Sequence, residues 1–264
     1  MDKSTKYALI SGGSQGIGKA IATECLRNGL GVAIVALPNE HLEATREELS
    51  LLGSVHTLGI DLNTPDAPQQ IDRWLDELGI ELHYLVNNAG FGRSGRFEEI
   101  DYNQYQVMVP LNNQAMVNLT YYMVPRLKAT RGAILNVSSM EATLPIPYKA
   151  VYTGTKAFIY NFSLALREEF RAFGISVTAL CPGPTLTNED GLKRVQAKGK
   201  QAQLLLKMPE QVAKPAVAGM LKGKAVVIPG WLPTLIVRVM YFVPRSLRLK
   251  ILEKIFREYR DNPS

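Results

Sequence analysis

The stretch "YALISGGSQGIGKAIATECLRNG", residues 7–29, decides the fold. Its first half is a short apolar run that ends in glycines, and it predicts a buried strand over 7–13. From Gly16 on, apolar residues recur at Ile17, Ala20, Ile21 and Cys25, which is a helical period. The helix stops at Asn28-Gly29. Between strand and helix lies "SGGSQGIG" (11–18). Gly12, Gly16 and Gly18 allow a tight turn and a close backbone approach. The helix behind them offers free N–H groups and the positive end of its dipole to a pyrophosphate. The spacing is G-x-x-x-G-x-G, not the usual G-x-G-x-x-G dinucleotide fingerprint. Any tight turn can carry glycines, but the place of this cluster favours a nucleotide.

The same alternation continues outward. Strands are predicted at 31–37, 54–62, 82–90, 132–139, 175–183 and 224–230. Helices are predicted at 41–53, 67–79, around 102–129, and at 150–173. The strands are continuously apolar rather than alternating, so both sheet faces are covered. The fold class is therefore α/β: a doubly wound parallel sheet of about seven strands with helices on both faces, followed by a C-terminal helical tail. One domain is expected over 1–230 and an amphipathic tail over 231–264.

The 264 residues are 46% hydrophobic with a formal net charge of +6. That length suffices for a sizeable core. The mild basicity suits an anionic cofactor or a membrane surface. Nucleic acid ranks last, because no Lys/Arg run interleaves with aromatics. Cys25 and Cys181 lie in apolar contexts and read as small buried hydrophobes. His41, His56 and His83 are scattered, and no metal-ligand spacing appears. No window is long and apolar enough to span a bilayer, and the N-terminus enters a strand almost at once. A reduced, cytoplasmic location is the expectation.

Ligands of such sheets bind beyond the carboxyl ends of the strands. Polar residues recur there. Asp61-Leu62 closes the third strand, where Asp61 suits an adenine amino group or a helix-capping turn. "NNAG" (87–90) closes the fourth. Asn87 suits a tie between strands, whereas Asn88, Ala89 and Gly90 would let a ribose or ring lie on the backbone. Ser138-Ser139 closes the fifth. "CPGPTLT" (181–187) closes the sixth, with Pro182-Gly183 as a stiff turn and Thr185 and Thr187 as donors. Each has a turn-chemistry explanation, but their recurrence does not. Tyr152 and Lys156, in "YKAVYTGTKAF" (148–158), share one helix face. That pair is either an exposed face or a phenol whose ionisation a nearby cation assists.

Taken in order, "SGGSQGIG", "NNAG", "SSMEATLPIPYKAVYTGTK" and "PGPTLT" resemble the short-chain dehydrogenase/reductase family, over roughly residues 5–190. The resemblance implies a Rossmann-like fold and a Tyr-x-x-x-Lys active site that needs no metal. In that resemblance Tyr152 is the general acid/base and Lys156 lowers its pKa and binds the nicotinamide ribose. Ser139 hydrogen-bonds the substrate oxygen. Asn112 anchors a relay water to Lys156, with neighbouring Asn113 the alternative. The cofactor contacts it implies are Gly12, Ser14, Gln15, Gly16, Ile17, Gly18, Leu37, Asp61, Leu62, Asn88, Ala89, Gly90, Tyr152, Lys156, Pro182, Gly183, Thr185 and Thr187. Ser11 stands where the family usually has threonine.

Cofactor choice is read in this family just after the second strand, at Leu37. An acid there would bind the ribose 2′-OH, and an arginine the 2′-phosphate. Neither is present, and Gln15 before Gly16 is uncharged. The missing carboxylate removes a charge penalty, so NADP(H) is favoured, with NAD(H) the alternative. Residues 188–209 fall where the family has its mobile substrate segment. Lys193, Arg194, Lys198 and Lys200 make it basic. Beyond it, Trp231–Val243 is apolar but for Arg238, and Ser246 is a candidate cap for a second helix. Its apolar face would be Leu247, Ile251, Ile255 and Tyr259. The favoured reading of the tail is a cover over the site or a homodimer or homotetramer contact. The alternative is a basic amphipathic helix resting on an anionic membrane. The substrate expected is a small-molecule carbonyl or alcohol, apolar because Pro145, Ile146, Pro147 and Tyr148 wall the same pocket. An NAD-dependent alcohol dehydrogenase and a non-catalytic cofactor-binding regulator are the competing functions.

Overall fold

The computed structural model of the chain describes residues 5–186 and 206–261. Among them, seven strands form one sheet: β1 (Tyr7–Ser11), β2 (Gly31–Ala36), β3 (Val55–Gly59), β4 (Leu82–Asn87), β5 (Ala133–Val137), β6 (Ser176–Leu180) and β7 (Val226–Val227). Their order is β3-β2-β1-β4-β5-β6-β7. Every neighbouring pair is parallel, with Leu9 of β1 opposite Ala33 of β2 and Leu85 of β4. The expected doubly wound sheet is thus present. The chain reverses its winding between β1 and β4, so the crevice for a ligand opens there.

Helices α1 (Gly16–Arg27), α2 (Glu40–Ser50), α3 (Ala67–Glu77), α4 (Tyr102–Val109), α5 (Ala115–Thr130), α6 (Ala150–Phe170) and α7 (Pro209–Leu221) flank the sheet. On one face Ala8, Ile10, Val32 and Ile34 pack with Ile21 and Cys25 of α1 and Val212, Ala216 and Val217 of α7. On the other, Leu9, Ala33, Val35 and Leu85 pack with Ile71 of α3, Leu119 and Met123 of α5 and Leu166 of α6. Successive residues of β1 and β2 enter opposite cores, which is why those strands are apolar without alternation. Truncating one such residue, as in Ile34→Ala, would cost about 2–5 kcal/mol.

Local chemistry sets the element ends. Helix α1 stops where Gly29 takes φ +76°, letting Gly29 N–H donate to Leu26 O at 2.9 Å and Leu30 N–H to Cys25 O at 3.1 Å. Asn39 caps α2 by accepting from Leu42 N–H, with Glu40 and Glu43 at the positive end of the helix dipole.

Several boundaries differ from expectation. The helix expected as one piece around 102–129 is α4, a π-helical turn at Pro110–Gln114, and α5. Pro110 has no N–H to return along the helix, and the wide turn absorbs the break. Strand β3 ends at Gly59, not at Asp61-Leu62. Asp61 instead accepts from Asn63 N–H at 2.9 Å in a turn. Strand β7 keeps two residues because it is an edge strand paired only with β6, and Pro229 follows two residues beyond.

The tail forms α8 (Trp231–Phe242), α9 (Arg245–Phe256) and α10 (Glu258–Asp261). Ser246 is not a cap: Pro244 occupies the N-cap position and Ser246 lies inside the first turn. The buried face of α9 is also not the expected one. Leu252 and Phe256, with Met240 of α8, pack on Leu144 and Ile146, whereas Leu247 and Ile255 are exposed. A polar anchor fixes that rotation: the Tyr148 hydroxyl donates to Glu253 at 3.1 Å; in α10, the Tyr259 ring centroid lies 4.9 Å from Lys149 Nζ. Among the described residues, no helix is long and apolar enough to cross a membrane.

Candidate active site

The carboxyl ends of β1 and β4 are pressed together, and glycines make that possible. Gly12 has φ +64°, and a Cβ there would fall 2.9 Å from Ala89 Cα. A Cβ on Gly18 would strike the Gly12 carbonyl and the Asn88 amide. Polar bonds lock the two turns. Ser11 Oγ accepts from Asn88 N–H at 3.0 Å and Ala89 N–H at 3.1 Å and donates to Val86 O. Asn88 Nδ2 donates to Ser11 O at 3.1 Å and Gly12 O at 2.8 Å. Ser11 thus uses the hydroxyl that serine and threonine share.

Helix α1 begins at Gly16 with Gln15 at its N-cap, and the Gln15 side chain makes no capping bond. Gln15 is exposed and Gly16 and Ile17 are half-buried, while Ser14 is buried and its carbonyl accepts from Thr45 Oγ1 at 2.7 Å. An uncapped helix start beside glycines is a fitting cradle for a pyrophosphate. Leu37 follows β2 and is 56% exposed. Asp61 is exposed, with one carboxylate oxygen engaged by its own turn, and Leu62 is half-buried.

Asn87 proves to be a tie. Its Nδ2 donates to Thr120 Oγ1 at 2.9 Å and to Asn136 Oδ1 at 2.8 Å, and Asn136 passes a bond on to Ser163. Gly90 leaves room for Asn112, since a Cβ there would sit 2.5 Å from Asn112 Oδ1. Asn112 is buried on the π turn. Its Nδ2 donates to Phe91 O at 2.9 Å and Thr155 Oγ1 at 3.0 Å, and its Oδ1 accepts from Phe91 N–H at 3.0 Å. It fastens the loop after β4 to α6, one residue before Lys156. Asn113 donates to Thr155 O instead.

Ser139, two residues past β5, accepts from Glu141 N–H at 3.1 Å, and its hydroxyl acts to lower the pKa of the Tyr152 phenol. Lys156 is buried; its Nζ donates to Val137 O at 2.9 Å and stands 5.8 Å from the Tyr152 ring centroid. Burial lowers the Lys156 pKa to about 8. Lys156, which the resemblance has lowering the phenol pKa, is not among the groups that shift it here. Burial pushes Tyr152 up to about 12, Glu141 adds to the rise, and Lys149 and the Ser139 hydroxyl oppose it. The cation that offsets the rise is Lys149; Lys156, its own pKa lowered by burial, is not among the opposing groups.

Beyond β6, Pro182 O accepts from Met140 N–H at 2.9 Å, and Thr185 Oγ1 donates to Gly183 O at 2.9 Å. These bonds hold Pro182, Gly183 and Thr185 beside the Ser139 turn. Thr187 lies outside the described residues, as do Lys193, Arg194, Lys198, Lys200 and all of the 188–209 segment up to residue 205.

Sequence reasoning missed three residues at the site. Lys149 Nζ is 3.0 Å from Glu141 Oε1 and 5.5 Å from the Tyr152 ring centroid. Burial opposes its charge, but Glu141, Tyr259 and Tyr152 outweigh that and raise its pKa. Lys149 stands three residues before Tyr152, so helical spacing could have flagged it; nothing in the sequence pairs it with Glu141. Gly92 is the third: a Cβ there would meet Tyr152 Cδ2 at 2.5 Å.

The short chain dehydrogenase family model matches residues 6–197. A very-long-chain 3-oxoacyl-CoA reductase of Danio rerio is 30% identical over 185 residues, covering 67% of this chain and 57% of that relative. A solved structure of a 7β-hydroxysteroid dehydrogenase shares the fold at a TM-score of 0.84 and 21% identity, covering 94% of this chain and 96% of its own. A short-chain dehydrogenase from Sphingobium yanoikuyae, solved in complex with NADPH, has a TM-score of 0.75 and 26% identity, covering 91% and 97%. With the sheet order and the strand-end geometry above, these matches lead to one conclusion: this chain belongs to the short chain dehydrogenase family and is an NAD(P)-dependent oxidoreductase of that type.

Proposed function

We propose that the protein reduces an apolar ketone or aldehyde with NADPH, using Tyr152 as the proton donor. The observation that carries this reading is the grouping of Ser139, at the carboxyl end of β5, with Tyr152, buried against Gly92, and with Lys156 one turn along α6, its Nζ 5.8 Å from the Tyr152 ring centroid. Burial raises the phenol pKa, so the hydroxyl carries its proton at neutral pH, as a proton donor must.

The residues present fit a dinucleotide: the uncapped start of α1 and Gly12, Gly16 and Gly18 for the pyrophosphate, Asn88, Ala89 and Gly90 for the ribose side, and Lys156 for ribose hydroxyls. When bound, the nicotinamide supplies the hydride. Ser139 orients the substrate carbonyl oxygen by donating a hydrogen bond to it. Tyr152 gives that oxygen its phenolic proton, and the phenolate left behind lies beside the Lys156 and Lys149 ammoniums. Asn112 acts by positioning, since it holds the loop carrying Gly92 against α6.

NADPH is favoured because no carboxylate stands at Leu37 to repel a 2′-phosphate. NADH remains the second reading, because no cation stands there either. The apolar substrate is supported by Leu144 and Ile146, which line the chain between Ser139 and Tyr152 and are roofed by Leu252 and Met240. The Danio rerio relative, named for very-long-chain 3-oxoacyl-CoA reduction, favours the same substrate class. We read residues 1–230 as one domain and the tail as its cover, in a homodimer or homotetramer. The test is a depletion assay with each reduced nicotinamide against short and long ketones and aldehydes. Faster NADPH loss with long apolar carbonyls supports the proposal; turnover only of polar alcohols with NAD contradicts it.

A further inference from the structure

Helix α8 carries two unlike apolar faces. Pro233 is buried and Met240 packs against Leu144, Ile146 and Leu252. On the opposite side Trp231, Leu235, Val239 and Phe242 stand at i, i+4, i+8 and i+11, in one stripe of a helix about 18 Å long. All four are exposed, Trp231 at 77% and Phe242 at 81%, and Tyr241 flanks them at 77%. No described element of the chain covers this stripe.

The charge around it names the occupant. From Trp231 to Leu252 there is no aspartate or glutamate, while Arg238, Arg245, Arg248 and Lys250 lie within the same 22 residues. Arg238 is exposed and sits inside the stripe. In the next helix Leu247 and Ile255 are exposed beside the exposed Lys250 and Lys254. The described carboxylates of the tail all lie later: Glu253 pairs with Arg257 at 2.7 Å, Asp261 with Arg260 at 2.8 Å, and Glu258 is exposed in the last short helix. A second copy pairing stripe to stripe would bury Arg238 with no carboxylate to meet it, at a large desolvation cost. An anionic lipid surface instead offers apolar depth to the aromatic and aliphatic side chains and phosphates to the cations.

We propose that the exposed face of α8, with the basic start of α9, seats the protein on an anionic bilayer surface without crossing it. Trp231 and Phe242 enter the headgroup–acyl boundary, and Arg238 and Arg245 meet lipid phosphates. This reading stands independently of the substrate.

Flotation of the full chain with vesicles tests it. Phosphatidylcholine vesicles containing phosphatidylglycerol should carry the protein, and phosphatidylcholine alone should not. Added salt should release it. The double variant W231S/F242S should partition at least about tenfold more weakly, and R238E should also weaken it. Both variants should bind nicotinamide cofactor as wild type does, which shows that they are folded. The proposal is overturned if the mixed vesicles carry no protein or if W231S/F242S floats like wild type. It is equally overturned if, without lipid, sedimentation shows a dimer that W231S/F242S dissociates, because the stripe then belongs to a second copy.

Discussion

Lys149 Nζ stands between the Glu141 carboxylate, 3.0 Å away, and the ring of Tyr152, whose centroid is 5.5 Å away. One half-buried ion pair therefore adjoins the phenol proposed to do the chemistry, and its two members act on that phenol with opposite sign. Lys156 was the expected partner. It bonds to the Val137 carbonyl, and the charges that shift the phenol are those of Glu141 and Lys149.

That arrangement sets a pH dependence. Alcohol oxidation requires the phenolate, so its rate should rise as pH climbs through the phenol pKa. Lys149→Met removes a cation that lowers this pKa, and the alkaline limb should move up by about one pH unit, equivalent to 1.36 kcal/mol. Glu141→Gln removes an anion that raises it, and the limb should move down. pH–rate profiles of both variants check the prediction; shifts of the same sign would contradict it.

Gly92 should be intolerant of a side chain. Gly92→Ala would place Cβ 2.5 Å from Tyr152 Cδ2, and the ring must yield. A displacement of about 1 Å at a reacting group can cost about a hundredfold in rate. The expected result is a fall in kcat of about 10- to 100-fold with a nearly unchanged melting temperature, measured by steady-state kinetics and calorimetry.

The two cysteines should be silent in the native protein. Burial pushes Cys25 and Cys181 from 9.0 up to about 12. Their folded pKa values are raised, so the stability they contribute is complete below pH 9 and lost as pH rises through about 12. Lys156, lowered from 10.5 to about 8, acts in the opposite sense only up to about 10.5. Unfolding midpoints should therefore fall above that pH. At pH 8 a thiol reagent should label neither cysteine until denaturant is added.

Cofactor choice follows from Leu37. Fluorescence titration should show tighter binding of NADPH than NADH. Leu37→Asp should shift the preference toward NADH, and Leu37→Arg further toward NADPH. A tenfold preference of the wild type for NADH would contradict the reading.

Much of this was legible in the sequence where chemistry is local. The β1–turn–α1 unit declares itself through Gly12, Gly16 and Gly18 and the period of Ile17, Ile21 and Cys25. Tyr152 and Lys156 announce a shared face by spacing alone. What stayed hidden depends on pairs far apart in the chain. Nothing local predicts that Tyr148 meets Glu253, 105 residues on, and that contact helps to turn α9 so that Leu252 is buried rather than Leu247. The π turn at Asn112 escaped because its apolar pattern is that of an ordinary helix. The Lys149–Glu141 pair escaped because the intervening turn, not a regular element, brings the two together.

The central claim is that Tyr152 donates the proton. Its most direct test is Tyr152→Phe, which keeps the ring and removes the hydroxyl. The account predicts that NADPH affinity stays within about twofold while kcat for carbonyl reduction falls by at least about a hundredfold, the scale of general acid catalysis. Turnover near that of the wild type, with cofactor binding intact, would contradict it.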